Sequence, residues 1–193
     1  MTAPDRVQNM TPFPPLLTPR LCLRPLRPND APALAAYRRD PEVARYQGWG
    51  TGYTLEQAQN LIAEMAGRVP GDPGWVQIGL ADRTTDTLLG DLALRAYDPR
   101  HAELGFTLAR AAWGHGYAAE GVWALLYHAF GVLTVHRVTA GTDPRNAAPA
   151  RLLTRLGFRH EGRHLQGYFD GQAWLDEDTY ALLGSEWQAH DHV

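Results

Sequence analysis

Three groupings in this sequence combine residue types and spacings that could do chemistry. The first is Trp113-Gly-His-Gly-Tyr-Ala118, which follows an alternating run from Glu103 to Leu108 and precedes a helical one. A strand that turns through glycines into a helix N-terminus presents unpaired N–H groups and the positive end of the helix dipole. That combination suits a phosphate. Arg110 and His115 could add charge or a hydrogen bond there; alone, such a loop is also an ordinary tight turn. The second is Glu103 itself. Alternation puts Glu103, Gly105 and Thr107 on one face of the strand and Leu104, Phe106 and Leu108 on the other. A carboxylate on a central strand needs a reason to be there, unless it sits at a solvated strand end. Asp91, beside Gly90 on the neighbouring run, is a weaker candidate and reads as structural. The third is His160-Glu-Gly-Arg-His164, which matches the H-E-x-x-H pattern of zinc hydrolases. That chemistry needs a helix, so that both histidines share one face. Gly157, Gly162, Gly167 and Asp170-Gly171 crowd the segment and predict a strand instead. Along a strand the two histidines lie about 13 Å apart and cannot share an ion. They read as exposed strand residues, and no metal site is expected.

Periodicity outlines the elements that must hold these groups. Arg20 to Leu26 alternates as a first strand, and a short helix runs from Asp30 to Tyr37. Another is expected to start at Pro41. Thr54-Leu-Glu-Gln57 is a capping box, and Leu55, Ala58, Leu61, Ile62 and Met65 follow at helical spacing. Trp75 to Asp82 and Leu88 to Tyr97 form an antiparallel hairpin, with Ala102 to Leu108 as the next strand. Ala118, Val122, Leu125, Leu126, Ala129 and Phe130 mark an apolar helix stripe. Arg137 to Thr142 is a strand, Asn146 heads a helix that Gly157 closes, and Phe158 to Phe169 with Trp174 to Leu183 form a last hairpin. The result is a single α/β domain over residues 18–187, with a mixed, largely antiparallel sheet flanked by helices. Residues 1–17, rich in proline, read as a loose tail that packs on the surface near its end, and 188–193 as a second one.

The 193 residues are 45% hydrophobic and 20% charged, with a net charge of -3, which disfavours a nucleic-acid partner. All 18 basic residues are arginine, so lysine Schiff-base chemistry and the lysine-bearing P-loop are excluded. The single cysteine, Cys22, excludes an internal disulfide framework. No apolar run approaches the roughly 20 residues of a membrane span, and no signal peptide is evident. A cytoplasmic protein with no membrane partner is the expectation. Exposed hairpin edges make a homodimer a further expectation.

The order of several short motifs resembles the GNAT superfamily of N-acetyltransferases, in the branch that acetylates ribosomal-protein N-termini. These are Thr18-Pro-Arg-Leu-Cys-Leu-Arg-Pro-Leu26, Asp40-Pro-Glu-Val-Ala-Arg-Tyr46, Glu103-Leu-Gly-Phe106, Trp113-Gly-His-Gly-Tyr-Ala118, His136-Arg-Val138, Asp143-Pro-Arg-Asn146 and Leu156-Gly-Phe158. Trp113 stands where the superfamily loop usually opens with Gln or Arg.

The resemblance implies acetyl-CoA as donor and an amine as acceptor, either a protein N-terminus or a small molecule. It implies that backbone groups of Phe106, Thr107 and Leu108 pair with the pantetheine arm. Amides of His115, Gly116, Tyr117 and Ala118, in a loop with Gly114 and Arg110, would hold the pyrophosphate. Asn146 would contact the cofactor near the thioester while also capping its helix. Acetyl transfer needs a deprotonated amine, and Glu103 is the candidate general base. An acceptor pocket is expected from Tyr46, Gln47, Trp49, Tyr53, Tyr168 and Asp176, because aromatic and acidic groups suit a cation. Two positions depart from the family pattern. Leu153 stands where many members carry a tyrosine acid, and Pro149 where the branch often has serine. These gaps leave a CoA-binding module without catalysis as the competing reading.

Overall fold

Leucines at alternate positions draw one sheet together. The strands are β1 (Leu16–Leu17), β2 (Leu21–Pro25), β3 (Gly74–Asp82), β4 (Leu88–Asp98), β5 (His101–Leu108), β6 (Arg137–Thr142), β7 (Arg159–Phe169) and β8 (Trp174–Leu183). The helices are α1 (Ala31–Arg38), α2 (Pro41–Ala44), α3 (Leu55–Met65), α4 (Tyr117–Gly131) and α5 (Ala147–Arg155). The computed structural model describes residues 13–187. Cross-strand pairs Leu23–Leu80, Ile78–Leu92 and Leu94–Leu104 bring apolar side chains onto one face.

That face is covered by α4. Its predicted stripe of Val122, Leu125, Leu126 and Ala129 is buried, and a Cβ on Gly121 would stand 2.7 Å from Leu80 Cδ1. Leu153 of α5 and Phe158 join the same core, so α5 packs on this side too. Helices α1 to α3 form a second core around Leu34, Ala35, Tyr37, Ala58 and Ile62. They cover the opposite face, because Arg38 of α1 reaches Asp91, which points away from Leu92. Thr54 and Gln57 form the predicted capping box at the head of α3.

The strand order is β1-β2-β3-β4-β5-β6-β8-β7. Every neighbouring pair is antiparallel except β5–β6, which are joined by the crossover through α4. The expected α/β architecture, mixed and largely antiparallel, is the one observed. Among the described residues no helix is long and apolar enough to cross a membrane.

The N-terminal boundary differs from the sequence expectation. Residues 13–17 are not loose: Phe13 is buried edge-on against His128, and Leu16–Leu17 pair with Leu23 and Cys22 of β2. Prolines on either side mask a two-residue edge strand, where a missing N–H costs nothing on the solvent side. The remaining tail residues, 1–12 and 188–193, lie outside the described residues. His128 sits at the edge of the core, and burial lowers its pKa.

Asp91 is held on the face under α1. Its carboxylate accepts from Arg38 Nη2 at 2.9 Å and from the Tyr37 hydroxyl. All three side chains are buried. Burial, then the Asp91 charge, raises the Tyr37 pKa well above its usual value, so the phenol stays a donor. Replacing one partner of such a set strands a charge. Asp91→Asn is expected to cost about 3–5 kcal/mol of stability, read as a lower urea midpoint. An unshifted midpoint would show that Arg38 is compensated elsewhere.

Candidate active site

The parallel pair β5–β6 holds for only three residues. His101, Ala102 and Glu103 pair with Arg137, Val138 and Thr139; beyond that point β5 continues along β4 and β6 continues along β8. The two strands therefore part after Glu103, and a cleft opens in the sheet. Backbone direction alternates along an antiparallel strand. The Ala109 N–H donates to Leu89 C=O on the β4 side, so Leu108 and Phe106 turn their N–H and C=O groups towards the cleft. Thr107 turns its backbone to Asp91 and is buried. Alternation thus removes Thr107 from the expected backbone contacts. The Leu108 carbonyl accepts from the Trp113 indole N–H at 3.0 Å. That bond leaves the Leu108 N–H and both Phe106 groups facing the opening.

The loop that follows ends at the head of α4. Gly114 has φ +78° and Gly116 has φ +81°, left-handed values that suit glycine. Gly116 is the N-cap of α4, and no side chain caps the helix. Among the described residues the amides of His115, Gly116, Tyr117 and Ala118 donate to nothing. The His115 ring stacks on Tyr117 at 5.6 Å, and Arg110 is exposed in a short turn before the loop. An uncapped N-terminus behind two left-handed glycines fits a diphosphate.

Arg20 braces this loop, and sequence reasoning missed it. Its Nε donates to Glu120 Oε2 at 2.7 Å and its Nη1 to the His115 carbonyl at 2.9 Å. The guanidinium lies over the Tyr117 ring at 4.7 Å. Thr18 Oγ1 and the Arg20 N–H also donate to Glu120. Burial alone would raise the Glu120 pKa. The Thr18 and Arg20 bonds and the Arg20 charge outweigh it and hold the pKa below its ordinary 4.5. The charged brace is therefore present above that pH and is lost only as pH falls through the lowered value. The signal was there as an arginine two residues after Thr18, but its partner lies 100 residues away.

Glu103 stands where β5 and β6 part, on the face away from α4. Its carboxylate accepts from the Tyr97 hydroxyl, and Arg95 Nη1 lies 3.8 Å away. Across the cleft, Glu177 of β8 leans over Gly141 of β6. A Cβ on Gly141 would come within 2.4 Å of Glu177 Oε1. Burial first, and then the Glu103 charge, raise the Glu177 pKa; His164 acts the other way. The acidic residue expected from the sequence is the adjacent Asp176. Asp176 accepts the Gln166 N–H at 2.9 Å and supports the β7 bulge, so its carboxylate is already engaged.

The expected acceptor residues divide. Tyr168, on the β7–β8 hairpin, lies against the 46–53 loop: a Cβ on Gly48 would come within 2.1 Å of its hydroxyl. Tyr46 lies beneath Arg45 and Arg145, 5.3 and 5.9 Å from its ring centroid. Gln47 is half-buried beside it. Trp49 and Tyr53 are committed elsewhere. Arg38 stacks on both rings, and the Trp49 indole donates to the Arg38 carbonyl at 3.0 Å. Tyr53 is buried in the α1–α3 core, so it belongs to the packing and not to a pocket wall. Asn146 occupies the N-cap position of α5, but its side chain makes no capping bond, which corrects that expectation. Leu153 is fully buried in the core, so that position offers no proton donor. His160 and His164 lie on β7, and His160 Nε2 is 3.4 Å from Asp178.

A sheet that splits beside an uncapped, glycine-bounded helix defines a mixed α/β fold with an opening that offers backbone hydrogen bonds along one edge and an anion-favouring helix N-terminus at its end. Comparison with known proteins identifies its family. The acetyltransferase (GNAT) domain profile matches residues 20–159. The chain is 31% identical to the uncharacterized N-acetyltransferase YoaA of Bacillus subtilis, over 89% of this chain and 97% of that protein. A GNAT-family acetyltransferase structure from Bacillus anthracis superposes with a TM-score of 0.81 at 25% identity, over 89% of this chain and 99% of the other. The spermidine N-acetyltransferase of Vibrio cholerae, solved with CoA and spermine, shares the fold with a TM-score of 0.73 at 20% identity, over 86% and 96% of the two chains. The chain belongs to the GNAT acetyltransferase family and is an acyl-CoA-dependent N-acetyltransferase.

Removing the brace tests the loop. Arg20→Ala is expected to weaken CoA binding about fivefold, on the scale of about 1 kcal/mol for a half-exposed charged contact. Calorimetric titration with CoA measures it, and unaltered affinity would mean that the loop holds its shape without Arg20.

Proposed function

We propose that this protein moves an acetyl group from acetyl-CoA to a primary amine by direct attack on the thioester, with Glu103 as general base. The observation that carries the reading is the parting of β5 from β6 immediately after Glu103. It sets a carboxylate at the apex of a cleft whose one edge is unpaired backbone and whose far end is an uncapped helix. The cofactor supplies an activated acyl carbon. The Phe106 N–H and C=O and the Leu108 N–H would align the pantetheine arm as a further strand would. The amides of His115 to Ala118 would take the diphosphate, with Gly114 and Gly116 giving it room and Arg110 adding charge. Asn146, whose side chain is not spent on its helix, would serve the thioester end.

Glu103 takes a proton from the acceptor's ammonium, directly or through one water, and frees the nitrogen lone pair. The C–N bond then forms, the C–S bond breaks, and the thiolate collects a proton from solvent. A thiol pKa near 8.5 makes that last step undemanding at neutral pH, which suits a protein with leucine at position 153. Tyr97 donates to Glu103 and keeps its carboxylate turned to the cleft.

The acceptor enters from the face that α1 to α3 leave open over β5, β6 and β8. Tyr46, Gln47 and Tyr168 border that entrance. A protein N-terminus, as the ribosomal branch would use, and a small polyamine both fit a primary amine. The long exposed edge of β7 supports a homodimer formed by strand pairing.

Glu103→Gln is expected to lower turnover at least about tenfold while leaving acetyl-CoA affinity nearly unchanged. Thiol release with a panel of amines, alongside CoA titration, measures both. Full turnover in the variant would remove Glu103 from the mechanism.

A further inference from the structure

The mechanism above uses one of two carboxylates that face the cleft. Glu103 comes from β5 and Glu177 from β8, on opposite sides of the opening and on the same sheet face. That shared face follows from register: Glu103 pairs with Thr139, Gly141 is two residues on, Thr179 pairs with Gly141, and Glu177 is two residues from Thr179. The Glu177 carboxylate lies where a side chain on Gly141 would stand, so glycine there keeps the place open. The other carboxylates nearby are engaged: Asp178 takes Arg163 at 2.7 Å, Glu161 takes Arg137, and Asp176 accepts the Gln166 N–H at 2.9 Å. Glu177 accepts no hydrogen bond among the described residues.

Its neighbours are few in kind. Glu103 from β5 and the Tyr97 and Tyr168 hydroxyls from β4 and β7 face it, and none of these supplies positive charge. His164, paired with Glu177 across β7–β8, is the one cationic influence on it, while Arg95 is engaged with Glu103 and Tyr97. Two carboxylates sharing a half-buried site repel each other unless a cation or a proton lies between them.

We propose that Glu177 is the ammonium-recognition residue of this site, so that a basic primary amine docks in its protonated form between Glu177 and Glu103. The proposal rests on the acyltransferase reading above and assigns its acceptor a class: amines that carry a positive charge at the reacting nitrogen. Glu177 holds the ammonium at the mouth, and Glu103, at the apex, takes the proton. Tyr168, whose hydroxyl lies against Gly48, borders the cleft on the side of the 46–53 loop.

The test compares two acceptors in one protein: spermidine, charged at neutral pH, and an arylamine, uncharged there. Glu177→Gln is expected to raise KM for spermidine about tenfold, the loss of one charge-assisted hydrogen bond, with kcat changed less than about threefold. KM for the arylamine and affinity for CoA should stay as they are. Gly141→Ala, which displaces the Glu177 carboxylate, should act in the same direction. KM does not depend on how much of a variant folds, so partial misfolding leaves the comparison intact. An unchanged KM for spermidine, or equal rises for both amines, overturns the assignment of Glu177 while leaving the transferase reading standing. A wild-type protein that binds CoA but acetylates neither amine, nor any peptide N-terminus, overturns both.

Discussion

The site depends on one mismatch in strand pairing. In a sheet that is otherwise antiparallel, β5 and β6 run parallel, because the crossover through α4 returns the chain in the same direction. Each of these strands is also bound to another neighbour along more of its length, β5 to β4 and β6 to β8. The outer pairings win, and the central one survives for three residues only. Opening a sheet at its centre leaves backbone polar groups without partners, which a folded protein tolerates only where a ligand or water will meet them. The cleft is therefore both a defect in the sheet and a place where unpaired backbone groups stand ready for an extended ligand.

Charge is sorted by what surrounds it. Asp91 and Glu103 sit on the same face of adjacent strands, yet their fates differ. Asp91 lies under α1, where Arg38 and Tyr37 neutralise and bond it, and the set becomes a fastener between helix and sheet. Glu103 and Glu177 flank the opening: Glu103 accepts from the Tyr97 hydroxyl with Arg95 3.8 Å away, and Glu177 accepts no hydrogen bond among the described residues. A buried carboxylate clasped by a buried cation is held; one that faces a cleft, with only a half-exposed arginine 3.8 Å away or none in contact, stays available for a substrate proton or charge.

The brace of Arg20, Glu120 and Thr18 shows how the first strand serves a loop far along the chain. Arg20 lies just before β2, at the edge of the sheet nearest the start of α4. Its guanidinium ties the first helical turn to the His115 carbonyl and lies over Tyr117. The uncapped amides are thus rigid without being satisfied, a combination that a side-chain cap would have prevented.

Much of this architecture was legible along the chain. Period-two and period-3.6 patterns marked the strands and helices, since each buries one face and burial imposes its period on leucine and valine. The glycines at 114 and 116 marked the loop because few other residues adopt its backbone angles, and the glycines around His160 and His164 ruled out a helix there. The edge strand Leu16–Leu17 was not legible, as two paired residues leave no period to detect. Other features were beyond any linear reading. Thr107 left the set facing the cleft by a parity that only the pairing with β4 establishes. Tyr53 and Trp49 became partners of Arg38, and Asp176 took the Gln166 N–H, because contacts between elements decide whether a polar group is already engaged. Local pattern determined which elements form, as it is written in adjacent residues. Which strands part, and which charges are left unpartnered where they part, was decided by contacts between residues up to about 100 positions apart, whose geometry exists only once the sheet has closed.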